Sequence, residues 1–115
     1  MQPKVLKYLL DIESVIIEIE VIKSQVGNDF KLFQGNIILQ RAVERDLEII
    51  GEAVRKLTSI SHETNITSSK KIIGLRNIIS HAYDSIEPEL IWGVIQRDIP
   101  MLSDEIQALK AQISH

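Results

Sequence analysis

The sequence predicts an all-α fold, an antiparallel bundle of four to five helices forming one domain over residues 1–115. Three observations carry that expectation. Apolar residues recur at three- and four-residue spacing through every long segment, which is the period of a helix and not of a strand. Pro3, Gly27, Gly35, Pro88 and Pro100 punctuate the chain where those segments begin, end or break. The connections between them are short, which favours antiparallel neighbours, and the length suffices for one buried core but not two.

The first helix begins at Pro3, whose fixed φ suits a first turn, and runs to about Val26, where Gly27-Asn28 ends it. Val5, Leu6, Leu9, Ile12, Ile16, Ile19 and Val26 form its apolar stripe. At Ile16-Ile17 and Val21-Ile22 the stripe widens enough to touch more than one neighbour. Phe30 and Phe33 pin a short connector to the core, closed by Gly35-Asn36. A second long helix spans about Asn36 to Leu57 and buries Ala42, Val43, Leu47, Ile50, Ala53, Val54 and Leu57. Its other side carries Arg41, Glu44, Arg45, Glu48, Glu52 and Arg55, a ladder of charges that reads as a solvated, salt-bridged face. Asp46 falls among the apolar residues and so needs an edge or a partner.

From Thr58 the helix fades into a polar loop, and one of Thr67, Ser68 or Ser69 is expected to cap the third helix. That helix continues through Lys70-Lys71-Ile72-Ile73 into Gly74 and onward to Tyr83, with Leu75, Ile78, Ile79 and Ala82 toward the core. Asp84 to Glu87 breaks it, and Pro88 restarts a helix bearing Leu90, Ile91, Trp92, Val94 and Ile95. Pro100 predicts a kink or short break near Ile99. The last segment, about Met101 to Ile113, is amphipathic through Leu102, Ile106, Leu109 and Ile113.

Composition narrows the function classes. Apolar residues at 44% and charged residues at 25% are those of a globular protein, and aromatics at 4% argue against a base-stacking sheet. The absence of cysteine excludes disulfides and thiolate chemistry, and no two histidines have metal-ligand spacing, so neither a metal nor another cofactor is expected. His62 reads as a solvated loop residue and His115 as a terminal one. The acidic residues Asp11, Glu13, Glu18 and Glu20 in the first helix are incompatible with a signal peptide or membrane span, which makes the cytoplasm the expected compartment. A net charge of −3 disfavours non-specific nucleic-acid binding but leaves room for a small basic cleft, for which Lys70, Lys71 and Arg76 are candidates.

The stretch from Gly74 to Asp84 gathers the reactive side chains. On a helix, Arg76, Ser80 and Tyr83 share one stripe and Asn77, His81 and Asp84 the next. An imidazole, titrating near neutrality, can take a proton from a ribose 2′-OH or give one to a 5′-oxygen leaving group. Arg76 can hold a phosphate and counter the charge growing on its oxygens. Asn77, one turn before His81, can orient the imidazole. Acid and base work is better shared between two imidazoles than done by one, and a twofold dimer apposing two such faces supplies the second.

Arg76-Asn77-Ile78-Ile79-Ser80-His81 fits the Arg-x4-His motif of the HEPN superfamily, and with Ala82-Tyr83 it resembles the Arg-x4-His-x-Tyr form of the HepT-like toxins. Arg41 through Ala53 is similar to that family's second helix, and Ile91-Trp92 falls where its post-motif helix often carries a Trp. Where many relatives have a Pro-Trp pair before the third helix, this chain has the polar run Asn65 to Ser69, a departure at the entry to the motif helix. The resemblance implies a HEPN-like helical homodimer acting as a metal-independent endoribonuclease toxin, with Arg76 and His81 catalytic and Asn77 and Ser80 supporting. It also implies a cognate minimal nucleotidyltransferase antitoxin, of the MNT type, that neutralises the toxin by AMP transfer to Tyr83. A bulky anion there would occupy the phosphate position and oppose incoming RNA.

Two other functions fit the same residues. One is a non-catalytic helical partner of a nucleotidyltransferase, with the polar face as a modification site or nucleotide contact. The other is a structural helical dimer, favoured if Arg76 and His81 pair internally with Asp46 or Glu52.

Overall fold

The computed structural model describes residues 3–61, 66–81 and 86–113, and there its regular structure is all helical, with no strand. The elements are α1 (Pro3–Gln25), α2 (Phe30–Gln34), α3 (Ile37–Ile60), α4 (Ser69–Ser80), α5 (Pro88–Gly93), a π turn (Val94–Asp98) and α6 (Ile99–Ile113). α3 is the central element: α1 packs along one flank and α4 along the other, while α6 closes on α1 and α2 bridges α3 and α5. At 1.5 Å per residue the two long helices set the length, so the bundle measures 44 × 29 × 19 Å. No described helix is long and apolar enough to cross a membrane.

The sequence signals act as expected at most boundaries. Gly27 and Asn28 both adopt left-handed φ, +60° and +56°, and stop α1. The connector beyond them folds into α2, capped by the Asp29 carboxylate accepting from Lys31 N at 2.8 Å. Phe33 is fully buried, and it and Phe30 lie 5.1 and 5.9 Å from the Trp92 ring, so both aromatics are packing residues. Gln40 donates to the carbonyls of Phe33 and Gln34, satisfying the end of α2. Asn36 is the cap of α3 rather than its first residue, its side chain accepting from Leu39 N.

Several expectations are corrected. Ser68 stands at the N-cap of α4 without capping it, because its hydroxyl turns to Met101 Sδ at 3.6 Å. Thr67, next to it, is committed to Glu105, which accepts from both its N–H and its hydroxyl. α4 ends at Ser80 with His81 as its C-cap at φ −106°, ψ 6°, while Ala82 and Tyr83, expected to extend it, lie outside the described residues. Ile78 is 56% exposed instead of facing the core, since α4 rests on its neighbours through Ile72 and Leu75. Pro100, by contrast, comes with the short break in α-helical bonding expected near Ile99: Val94–Asp98 forms a π turn in which the Ile99 N–H bonds to the Val94 carbonyl, five residues back. Ile17 and Val21, expected to meet a second neighbour, are exposed in the single chain.

Candidate active site

α3 and α4 cross at Gly51, and the crossing is close because Gly51 has no side chain. A Cβ there would collide with Arg76 Cβ and lie 3.1 Å from both Arg76 Cγ and the Ile72 carbonyl oxygen. Glycine in a helix interior costs about 1 kcal/mol relative to alanine, and what it gains here is the approach of two backbones. Arg76 is therefore laid across α3, its stem partly covered and its guanidinium directed along the charged side of that helix.

There the guanidinium meets Glu52. Arg76 Nη2 lies 3.3 Å from Glu52 Oε2, and Nη1 donates to Asn77 Oδ1 at 3.0 Å. Nε is buried and makes no hydrogen bond among the described residues. The Glu52 carboxylate is bound more closely by Arg55, at 2.6 Å, and that bond, aided by the charges of Arg55, Arg76 and Lys56, holds its pKa below the ordinary value. Glu52 is thus a fixed anion between two guanidinium groups. Arg45, Glu48, Ile49, Glu52 and Arg76 line a cleft of about 270 Å³ at this point.

His81 sits at the exposed end of α4, its Nδ1 2.8 Å from the Asn77 carbonyl oxygen. A carbonyl can only accept, so in the neutral ring Nδ1 carries the proton and Nε2 keeps its lone pair. The imidazole is thereby oriented by its own helix, with its basic nitrogen away from the backbone. Asn77 serves both motif residues, Arg76 through its side chain and His81 through its carbonyl. Glu52 thus touches Arg76, while His81 is held by a backbone carbonyl, so the internal pairing that would mark a purely structural pair is made by one of the two residues only.

The remaining candidates divide. Ser80 is exposed on the last turn of α4, and Lys70 is exposed without an ion pair among the described residues. The ammonium of Lys71 is 2.7 Å from Asp98, a carboxylate only 8% exposed, so its charge is already matched and ties α4 to the π turn. Tyr83 and Asp84, like His62 and Asn65, lie outside the described residues. Among the described residues no cluster of three histidine or carboxylate side chains could hold a metal ion.

One residue of this arrangement escaped the sequence reading. Gly51 had a signal, since a glycine inside a long helix asks for a structural reason. The sequence offered Asp46 or Glu52 as an internal partner of Arg76, and it is Glu52 that the guanidinium meets. Asp46, by contrast, is as anomalous as its position suggests: buried, with Oδ2 unpartnered and its pKa raised to about 6, first by burial and then by the nearby Glu18 charge, against a smaller opposing effect of Arg45.

Comparison with known proteins identifies the family. A candidate RNase of Methanocaldococcus jannaschii is 36% identical over 90 residues, covering 76% of this chain and 82% of that protein. A candidate RNase of Caldanaerobacter subterraneus is 33% identical over 100 residues, covering 85% and 89%. A protein of Thermococcus cleftensis named as a probable ribonuclease HepT is 29% identical over 104 residues, covering 90% and 93%. No solved structure matches. The family model described as ribonuclease HepT-like matches residues 12–109, nearly the whole chain, and the chain therefore belongs to the HepT-like family of the HEPN superfamily.

Proposed function

We propose that this protein is a metal-independent endoribonuclease toxin whose working pair is Arg76 and His81, completed by a second copy of the chain. The observation that carries the reading is the hydrogen bond from His81 Nδ1 to the Asn77 carbonyl, which leaves Nε2 as the base. In this reaction Nε2 takes the proton of the ribose 2′-OH, and the 2′-oxygen attacks the adjacent phosphorus. The 5′-oxygen leaves with a proton from the partner copy's imidazole, giving a 2′,3′-cyclic phosphate and a 5′-hydroxyl. Arg76 binds the phosphate and offsets the charge developing on its oxygens, with Glu52 and Asn77 fixing the guanidinium. Ser80 and Lys70 are supporting and RNA-contacting residues in this scheme, and Lys71 contributes only by exchanging Asp98 for a phosphate.

Family membership and the names of the relatives support ribonuclease chemistry. The same reading assigns the antitoxin role to a minimal nucleotidyltransferase that transfers AMP to Tyr83. The test is digestion of total cellular RNA by purified protein freed of any partner. Wild type is expected to cleave, and His81→Ala to lose about 100-fold or more of the rate while keeping its helical circular dichroism. Wild type that leaves RNA intact would sink the proposal. One observation favours the alternative of a non-catalytic nucleotidyltransferase partner: both Nη groups of Arg76 are already engaged within the chain. Under that alternative, intact mass would show modified Tyr83 while neither form cleaves.

A further inference from the structure

A second groove runs between α1 and α3, beside the cleft at Arg76. Its volume is about 370 Å³, within the range of small-molecule sites. Ile49 and Glu52 line both hollows, so α3 forms a low ridge between them and a strand crossing the ridge stays on the protein surface. Across from Ile49 stands Tyr8, a half-buried ring in a chain otherwise poor in aromatics.

The lining of the groove combines cations, an aromatic ring and an aliphatic surface. The Lys7 ammonium lies 5.4 Å from the centre of the Tyr8 ring, so a cation and an aromatic face are presented together. Lys56 stands on the opposite wall, exposed and without an ion pair among the described residues. The acids are accounted for: Asp11 is bound by Lys7 at 2.7 Å, and Glu52 by Arg55 and Arg76. Lys7 is exposed enough to exchange Asp11 for a phosphate, as surface pairs of this kind are weak. Ile49, 40% exposed, gives a base an apolar surface opposite the ring.

We propose that this groove is a nucleotide subsite for single-stranded RNA, taking a residue next to the scissile phosphate, with its base against Tyr8 and its phosphate between Lys7 and Lys56. The proposal rests on the ribonuclease reading and extends the substrate track of one chain from α4 across α3 to α1. It gives Tyr8 a role in binding, apart from the proton transfers assigned to His81.

The test measures binding separately from cleavage. In His81→Ala protein, which leaves the probe intact, fluorescence anisotropy is read with a dye-labelled single-stranded RNA of about ten nucleotides. Adding Tyr8→Leu, which keeps the apolar packing, is expected to weaken binding about tenfold, whereas Tyr8→Phe stays within about twofold. Lys56→Gln is expected to weaken it about threefold and to flatten its salt dependence. Unchanged affinity in Tyr8→Leu overturns the subsite. So does a Tyr8→Leu variant that dissociates to monomers in sedimentation, since the groove would then be covered by a second copy. Failure of the His81→Ala protein to bind the probe also overturns it. If wild type still cleaves RNA in any of these cases, the subsite falls alone; if wild type does not cleave, the ribonuclease reading falls with it.

Discussion

Gly51→Ala introduces a carbon aimed at Arg76 Cβ and at the Ile72 carbonyl, neither of which is the free end of a flexible side chain. The helices must separate, so the substitution is expected to destabilise the protein by about 1–3 kcal/mol in denaturant unfolding, despite alanine's better helix propensity. Asp46 gives the opposite sign. Its folded pKa of about 6 lies above the ordinary 3.8, so the charged carboxylate penalises the native state above pH 6 and costs nothing below pH 4. Asp46→Asn should therefore raise stability by on the order of 1 kcal/mol at pH 7, a gain that vanishes near pH 4. Unfolding curves at the two pH values check it, and an equal effect at both would contradict the assignment. Asp46 was legible in the sequence as a charge at an apolar position, because helical periodicity exposes such misfits. Glu52 was legible only as one of two candidate partners of Arg76, because ladder residues look alike until α4 arrives beside one of them.

Among the elements, the π turn ending in Asp98 shows what form a local rule takes in the folded chain. Pro100 disrupts i→i−4 bonding, as its missing N–H requires, and the disruption takes the form of a π turn. That turn carries Asp98, buried and bound by Lys71, so the irregular segment and the motif helix are joined by one ion pair. Lys71→Ala leaves a buried carboxylate unmatched and is expected to cost about 1–3 kcal/mol, against no more than about 0.5 for Lys70→Ala. Thermal unfolding of the two variants side by side makes the comparison, and equal effects would show the pair to be unimportant. The end of α4 carries no local signal: no glycine or proline marks Ser80, and the residues beyond it are as helix-compatible as those before.

In the whole molecule, the single chain leaves apolar surface uncovered. Leu6, Leu10, Ile17 and Val21 are exposed along α1, and Ile78 on the motif helix beside Asn77. Exposed apolar groups of this kind suit contact with another protein, and the proposed mechanism requires that one such partner be a second copy. Specific ribonuclease activity is then expected to fall on dilution as the dimer dissociates, in step with a decrease in sedimentation from twice the 13.1 kDa chain mass. Activity independent of concentration, in a protein that sediments as a monomer, would contradict a shared site.

The sequence by itself determined the helical class, the order of the helices, most of the core and the position of Arg76 and His81 on one segment. Each of these is written in local periodicity or in residues that act on their own backbone. Only the tertiary structure decided that Glu52 meets Arg76, that Gly51 is the crossing point and that Lys71 is held by Asp98. Those pairs come from different helices, and a helical period says which way a side chain faces but not what stands opposite it.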